Sequence, residues 1–305
     1  MEIIMYVMTV FGLALFEVVS SIDNAIINAE VLGTMGAKAR RWFLLWGILL
    51  AVFVVRGFLP WLIVWASVPD LGFAGSFLAA FSSDPRVRSA IEHAAPMLLI
   101  AGGTFLLFLF FHWLFLEPKE YGLPGERFFA RNGVWFYATV SVLLCAIVWY
   151  ALRLAPMIAF GAVIGSTAFF ITHGFKMNAE HQEQQLMGSG LSDLSKILYL
   201  EIIDATFSID GVLGAFAFTL AVPLILLGNG IGAVVVRQLT VGNIEKIKRY
   251  RYLKNGAMYS ILCLGGVMTA DAFGVRVPGW VSPALTFAIV LFFFVKSRNA
   301  PKALS

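Results

Sequence analysis

Nine apolar runs constrain this chain more than any other feature, because several of them approach or exceed the roughly 20 residues that cross a bilayer core. They fall at about residues 4–30, 42–67, 94–116, 134–152, 156–174, 195–219, 222–237, 255–273 and 281–296. A soluble domain would have to treat each run as a core helix without a polar face, and there are too many for that. Composition agrees: 60% of residues are hydrophobic and 13% charged, against roughly half and a quarter in soluble domains. The expected fold class is all-α, a polytopic transmembrane helix bundle of about nine spans, with eight as the alternative count. The run from Pro223 to Val236 is short and holds Gly228, Asn229, Gly230 and Gly232, so a tilted, broken or partly re-entrant element is expected there. The polar connections at about 68–93 and 175–194 read as loops or surface helices.

The basic residues orient the bundle. Of 22 Lys and Arg residues, Arg86, Arg88, Arg153 and Arg276 lie in one set of alternate connections and Arg56 lies inside a span. The remaining 17 lie in the opposite set or at the C-terminal end. The positive-inside rule then places the N-terminus outside and the C-terminus in the cytoplasm of a cell membrane. This also accounts for the net charge of +4. The stretch Lys246 to Arg251 fits contact with anionic lipid better than nucleic-acid binding. Cys145 and Cys263 fall inside spans and read as small packing residues. The first run follows Glu2 without a basic flank, so it reads as a retained span.

Two segments carry acid into apolar runs. The first is Glu17-Val18-Val19-Ser20-Ser21-Ile22-Asp23-Asn24, and the second is Asp204-Ala205-Thr206-Phe207-Ser208-Ile209-Asp210-Gly211. Without gaps they share an acid, then Ser-Ile-Asp, with six residues between the carboxylates. Glu201 adds an acid one turn before Asp204. The first and sixth spans run in opposite directions, so the repeat is inverted, as in many secondary transporters. An ionised carboxylate in the bilayer costs several kcal/mol unless paired or functional. Arg56 or Arg237 could neutralise one acid, but five acids outnumber the two cations and call for protons or a bound cation.

Six residues of ideal helix advance about 9 Å and turn about 240°. Glu17 and Asp23 therefore cannot hold one ion from an unbroken helix, nor can Asp204 and Asp210. Either the helices unwind near the serines, or one acid of each pair binds metal while the other relays protons or gates. The carboxylates, the Asn24 amide and the Ser21 and Ser208 hydroxyls are hard oxygen donors, suited to magnesium, calcium or manganese. His112 and His173 read first as packing or interfacial residues and Asp271 as an interfacial one. No nucleophile–base set or His-Glu zinc motif is present, so an enzyme ranks last.

These motifs, with Tyr199 to Gly211, Asn229 to Arg237, Arg251 to Lys254 and Gly102 to Leu107, resemble the TerC family of bacterial membrane proteins within the LysE-type transporter superfamily. Gly211 departs from the serine common in that family, which suggests a side branch. The resemblance implies two inverted three-helix repeats: residues 1–116 as the first, 117–194 as linker spans and a polar loop, and 195–305 as the second. It implies a role in metal homeostasis, especially manganese efflux, and in tellurite resistance for some members. Its candidate metal residues are Glu17, Asp23, Asn24, Glu201, Asp204, Ser208 and Asp210. The expected function is export of a divalent cation from the bacterial inner membrane. The alternative is a non-transporting membrane protein with a structural or sensing metal site. The expected partners are lipid and divalent cations, without nucleic acid, and a homo-oligomer is compatible with the sequence.

Overall fold

The computed structural model describes residues 2–47, 58, 61, 65, 72–79, 85–119, 121–188, 192–242 and 250–299. These residues form helices and no strand. In chain order they are α1 (Glu2–Ser20), α2 (Ile22–Gly33), α3 (Ala37–Trp42) running into a π-helical turn (Phe43–Gly47), α4 (Gly72–Ala79) and α5 (Pro85–Leu116). There follow α6 (Glu126–Arg131), α7 (Trp135–Ala151), α8 (Pro156–Gly188), α9 (Asp193–Ala215), α10 (Val222–Gly242), α11 (Leu253–Ala272) and α12 (Val281–Asn299). Helices stand at eight of the nine apolar runs, and most of the second run lies outside the described residues. Four stretches among the described residues are long and apolar enough to cross a membrane: Ile3–Ser20, Glu92–Leu116, Pro156–Phe175 and Val281–Asn299.

The glycine-rich run at 223–236 is not broken, since α10 is continuous. Its glycines serve packing instead. A methyl on Gly228 would stand 2.5 Å from Leu13 Cβ, and one on Gly232 would stand 2.5 Å from Glu17 Cβ. The missing side chains thus let α10 lie close along α1, as small residues do between membrane helices. Gly103 of α5 and Gly265 of α11 play the same part for each other. Around these seams, Phe16, Phe105, Phe108, Leu106, Val212, Ile225, Leu264 and Met268 are fully buried and form the main core. The Phe-rich stretch of α5 therefore turns Phe105, Phe108 and Phe110 inward as packing. Exposed apolar side chains such as Val142, Trp149, Phe160 and Ile171 coat the outer faces of α7 and α8. Such a surface suits lipid, and it includes Cys145, which is exposed rather than packed.

The helix ends show why the chain turns where it does. Ser192 caps α9 by accepting the Ser195 N–H at 3.3 Å, with Asp193 in the first turn. That Asp193 also accepts the Gly36 N–H, and Lys196 donates to Thr34 Oγ1 at 2.9 Å, which fixes the start of α9 to the α2–α3 turn. After α11, Gly274 takes φ +86°, and its N–H and that of Val275 bond back to Asp271 and Ala270. Asp271 also accepts the Val277 N–H at 2.8 Å, so this acid staples a turn.

A polar cluster ties the segment after α5 to the start of α11. Lys254 pairs with Glu117, Asn255 donates to the buried Glu126 at 2.8 Å, and Lys119 lies 3.7 Å over the Trp113 ring while donating to that residue's carbonyl. Burial brings Lys119 down to about 8, against the opposing pull of Glu117 and Glu126. The unfolded chain, whose lysine titrates near 10.5, then holds the extra proton between those two values. Stability is therefore expected to rise with pH across that window. Melting of wild type beside Lys119→Gln from pH 8 to 10 checks this. The wild type should gain on the variant, and parallel curves would refute it.

Candidate functional site

α9 is the axis of the site, since it packs against α1, α2, α3, α5, α8, α10 and α11. Glu201 and Asp204 are three residues apart and so share one face of it. Asp204 is buried and accepts from Arg237 Nη2 of α10 at 2.9 Å, an ion pair whose side chains are 13% and 9% exposed. The other Arg237 nitrogen, Nη1, donates to the Phe43 carbonyl, and the guanidinium lies 4.2 Å over the Phe43 ring. Phe43 opens the π-helical turn, an element that is rare and concentrated at functional sites. Gly47 closes that turn, and its lack of a side chain is required. A Cβ there would stand 2.8 Å and 3.1 Å from the two Arg237 nitrogens and would strike Glu201 Oε1. Both Glu201 carboxylate oxygens are buried and accept no hydrogen bond from the described residues.

A second carboxylate lies farther along the same seam. Glu17 of α1 is 1% exposed and accepts from Ser21 Oγ at 2.7 Å. It lies against two glycines, with Glu17 Oε2 2.9 Å from where a Gly211 Cβ would stand and its Cβ against Gly232. This gives Gly211 a physical reason, because a serine there would crowd the Glu17 carboxylate. Asn229, one turn before Gly232, is completely buried on the same helix.

The backbone register arranges the remaining candidates. Phe16 lies beside Gly214, Glu17 beside Gly211, Thr34 beside Lys196 and Gly36 beside Asp193, so α1 and α2 run antiparallel to α9. In that register the Asp23 backbone falls near the level of Asp204, and the Asp210 backbone near that of Glu17. The motifs thus cross, and each level takes one acid position from each, with the levels about two helical turns, or roughly 10 Å, apart. The side chains of Asp23, Asn24, Ser208 and Asp210 lie outside the described residues. Among the described ones, no three His, Cys, Asp or Glu side chains converge as a metal-holding group. Unwinding near the serines, one of the two alternatives left open by the spacing, is seen at one motif and not at the other. At Ser21 the chain leaves helical geometry (φ −89°, ψ 6°) between α1 and α2, while α9 runs unbroken through Ser208. The interruption is shallow, since Ser21 still donates to Glu17 O and Ala25 to Ser21 O.

What the arrangement offers is a buried set of hard oxygen donors in which, among the described residues, Glu201 and Asp204 share one guanidinium. Arg237 pairs with Asp204, one of the two partnerships weighed from sequence, and Arg56 lies outside the described residues. Sequence reasoning passes over Phe43 and Gly47, which carry no polar side chain and enter the site through a carbonyl and an open space. It also leaves His112 and His173 as separate packing residues, whereas their rings lie 3.9 Å apart between α5 and α8. Comparison with curated proteins and with solved structures finds no match. One family model matches almost the whole chain, over residues 22–302, and the chain belongs to that family, DUF475, described as a protein of unknown function.

Proposed function

We propose that this chain is a membrane transporter of a divalent metal cation, an exporter of manganese coupled to protons, with calcium or magnesium as the alternative ions. The observation that carries this reading is the pair Glu201 and Asp204, two buried carboxylates beside one guanidinium. Buried Glu17 adds another acid on the facing helix. Packing alone does not call for acid at these positions, because each ionised carboxylate costs several kcal/mol in a bilayer. Hard oxygen ligands suit a divalent cation of the manganese, magnesium or calcium kind. In this reading the metal enters as acids of the crossed motifs, Asp23 and Asp210 included, release protons. Two inverted repeats within nine spans, as in the TerC resemblance, would then rock to expose the site to the other side. Tellurite, an anion, is a poor fit to an acid-lined path.

Flux of manganese, calcium and magnesium into proteoliposomes under an imposed pH gradient tests this. Wild type should move at least one of these ions, and the Asp23→Asn/Asp210→Asn variant should fall to the level of protein-free liposomes. The Arg237–Asp204 pair favours one other reading, a static membrane protein whose acids are neutralised internally and whose metal is structural or sensed. That reading requires metal bound in detergent with no flux of any ion, and such a result would displace the transporter.

A further inference from the structure

We infer that Arg237 is a tethered competitor of the transported cation, holding the Asp204–Glu201 site in the metal-free state and leaving it when metal binds. This rests on the transporter reading and adds to it the means by which the empty site is kept neutral. The geometry is that of one small space shared by three groups. The guanidinium bonds Asp204 at 2.9 Å, both of its terminal nitrogens press on the gap left by Gly47, and Glu201 Oε1 borders the same gap. Yet Glu201 receives no hydrogen bond there, so Arg237 satisfies one of the two carboxylates and leaves the other.

Charge decides what can replace it. A guanidinium brings one positive charge to two carboxylates, whereas a divalent ion brings two. A compact ion in that gap can reach both acids, and the tethered group then has somewhere to go. The Phe43 carbonyl and ring face, which already hold the guanidinium, the ring at 4.2 Å, while it pairs with Asp204, would keep it tethered once the Asp204 bond is given up. The return step follows the same logic. A transporter must pass back through a state without cargo, and an ionised Asp204 deprived of its guanidinium would oppose that passage. Arg237 re-pairing with Asp204 expels the metal and removes that barrier.

The test uses the full chain, with manganese binding measured in detergent and manganese flux in liposomes. Removing the competitor in Arg237→Gln should tighten manganese binding by about tenfold, the gain expected when an internal occupant holds the site about nine-tenths of the time. Arg237→Lys, with its charge kept but its fork lost, should fall between the two. Added guanidinium chloride should compete with manganese in Arg237→Gln and not in wild type. In liposomes the ratio of manganese–manganese exchange to net flux should rise in Arg237→Gln, because only net flux needs the empty return. A purely structural arginine would lower both together. Unchanged or weaker binding in both variants, with wild type still binding and moving manganese, overturns the role of Arg237 alone. Absence of binding and flux in wild type overturns the transporter reading with it.

Discussion

Arg237→Gln, stripped of metal by a chelator, is expected to lose about 3–5 kcal/mol of stability, the cost of breaking one side of a buried ion pair. The magnitude follows from position. Asp204 and Arg237 are 13% and 9% exposed, so water screens neither, and removal of the guanidinium takes the ion pair from Asp204 and a nearby positive charge from Glu201 at the Gly47 gap. The Phe43 carbonyl at the π-helical turn loses its donor as well. The loss should be largely reversed in Asp204→Asn/Arg237→Gln, where both charges go together and two amides of similar shape remain. Thermal unfolding of the detergent-solubilised chain separates these cases. A single variant that melts with wild type, or a double variant no more stable than the single one, would mean that the pair is solvated and the site open. Manganese added back should raise the melting temperature of Arg237→Gln more than that of wild type, since the ion then supplies the charge that was removed.

The helices were readable because lipid demands a simple pattern. An apolar run near 20 residues with its backbone bonds closed internally leaves little choice. The exception is instructive, since the glycines of 223–236 look like breakers by intrinsic propensity. Their helix holds because Gly228 and Gly232 gain close contact with Leu13, Ala14 and Glu17, which outweighs the entropy that a glycine gives up. Nothing local announces that partner, because it lies more than two hundred residues earlier in the chain. The same limit applies to Cys145, whose exposed face on α7 depends on which neighbours α7 acquires.

The acids of the site were legible for a different reason, that charge in an apolar run is expensive and therefore conspicuous. Glu17, Glu201 and Asp204 are buried where that argument puts them. Their grouping was not legible. Spacing within one helix separates Glu17 from Asp23, but only the antiparallel register of α1 and α2 against α9 shows that the two motifs cross. Phe43 and Gly47 give no signal in sequence, one being an ordinary apolar residue and the other an ordinary glycine. They matter through a backbone carbonyl and a missing Cβ, which only the fold brings to Arg237.

Gly165→Ala is expected to destabilise the bundle by about 1–3 kcal/mol, a large effect for one methyl group, because the group would be forced into backbone rather than into a movable side chain. Gly161 and Gly165 sit one turn apart on α8 and face the carbonyls of Met97 and Ala101 on α5. A Cβ at Gly161 would stand 2.6 Å from Met97 O, and one at Gly165 would overlap the Ala101 carbonyl and stand 2.9 Å from Ala101 Cα. No rotamer change relieves that overlap, so the helices must separate and lose contact between Ile100, Ala162 and their neighbours. Gly174→Ala on the same helix is the control, since nothing lies within 4 Å of its would-be methyl. By helix propensity alone that change should be neutral or stabilising by up to about 1 kcal/mol. Only the first alanine is therefore expected to destabilise, and the melting temperatures of the two variants in one detergent decide the matter. Equal melting would mean that α5 and α8 do not meet at this seam. Because both helices also pack against α9, a shift at Gly165 should carry to Glu201 and Asp204 and, under the proposed transporter function, weaken manganese binding, whereas Gly174→Ala should leave it unchanged.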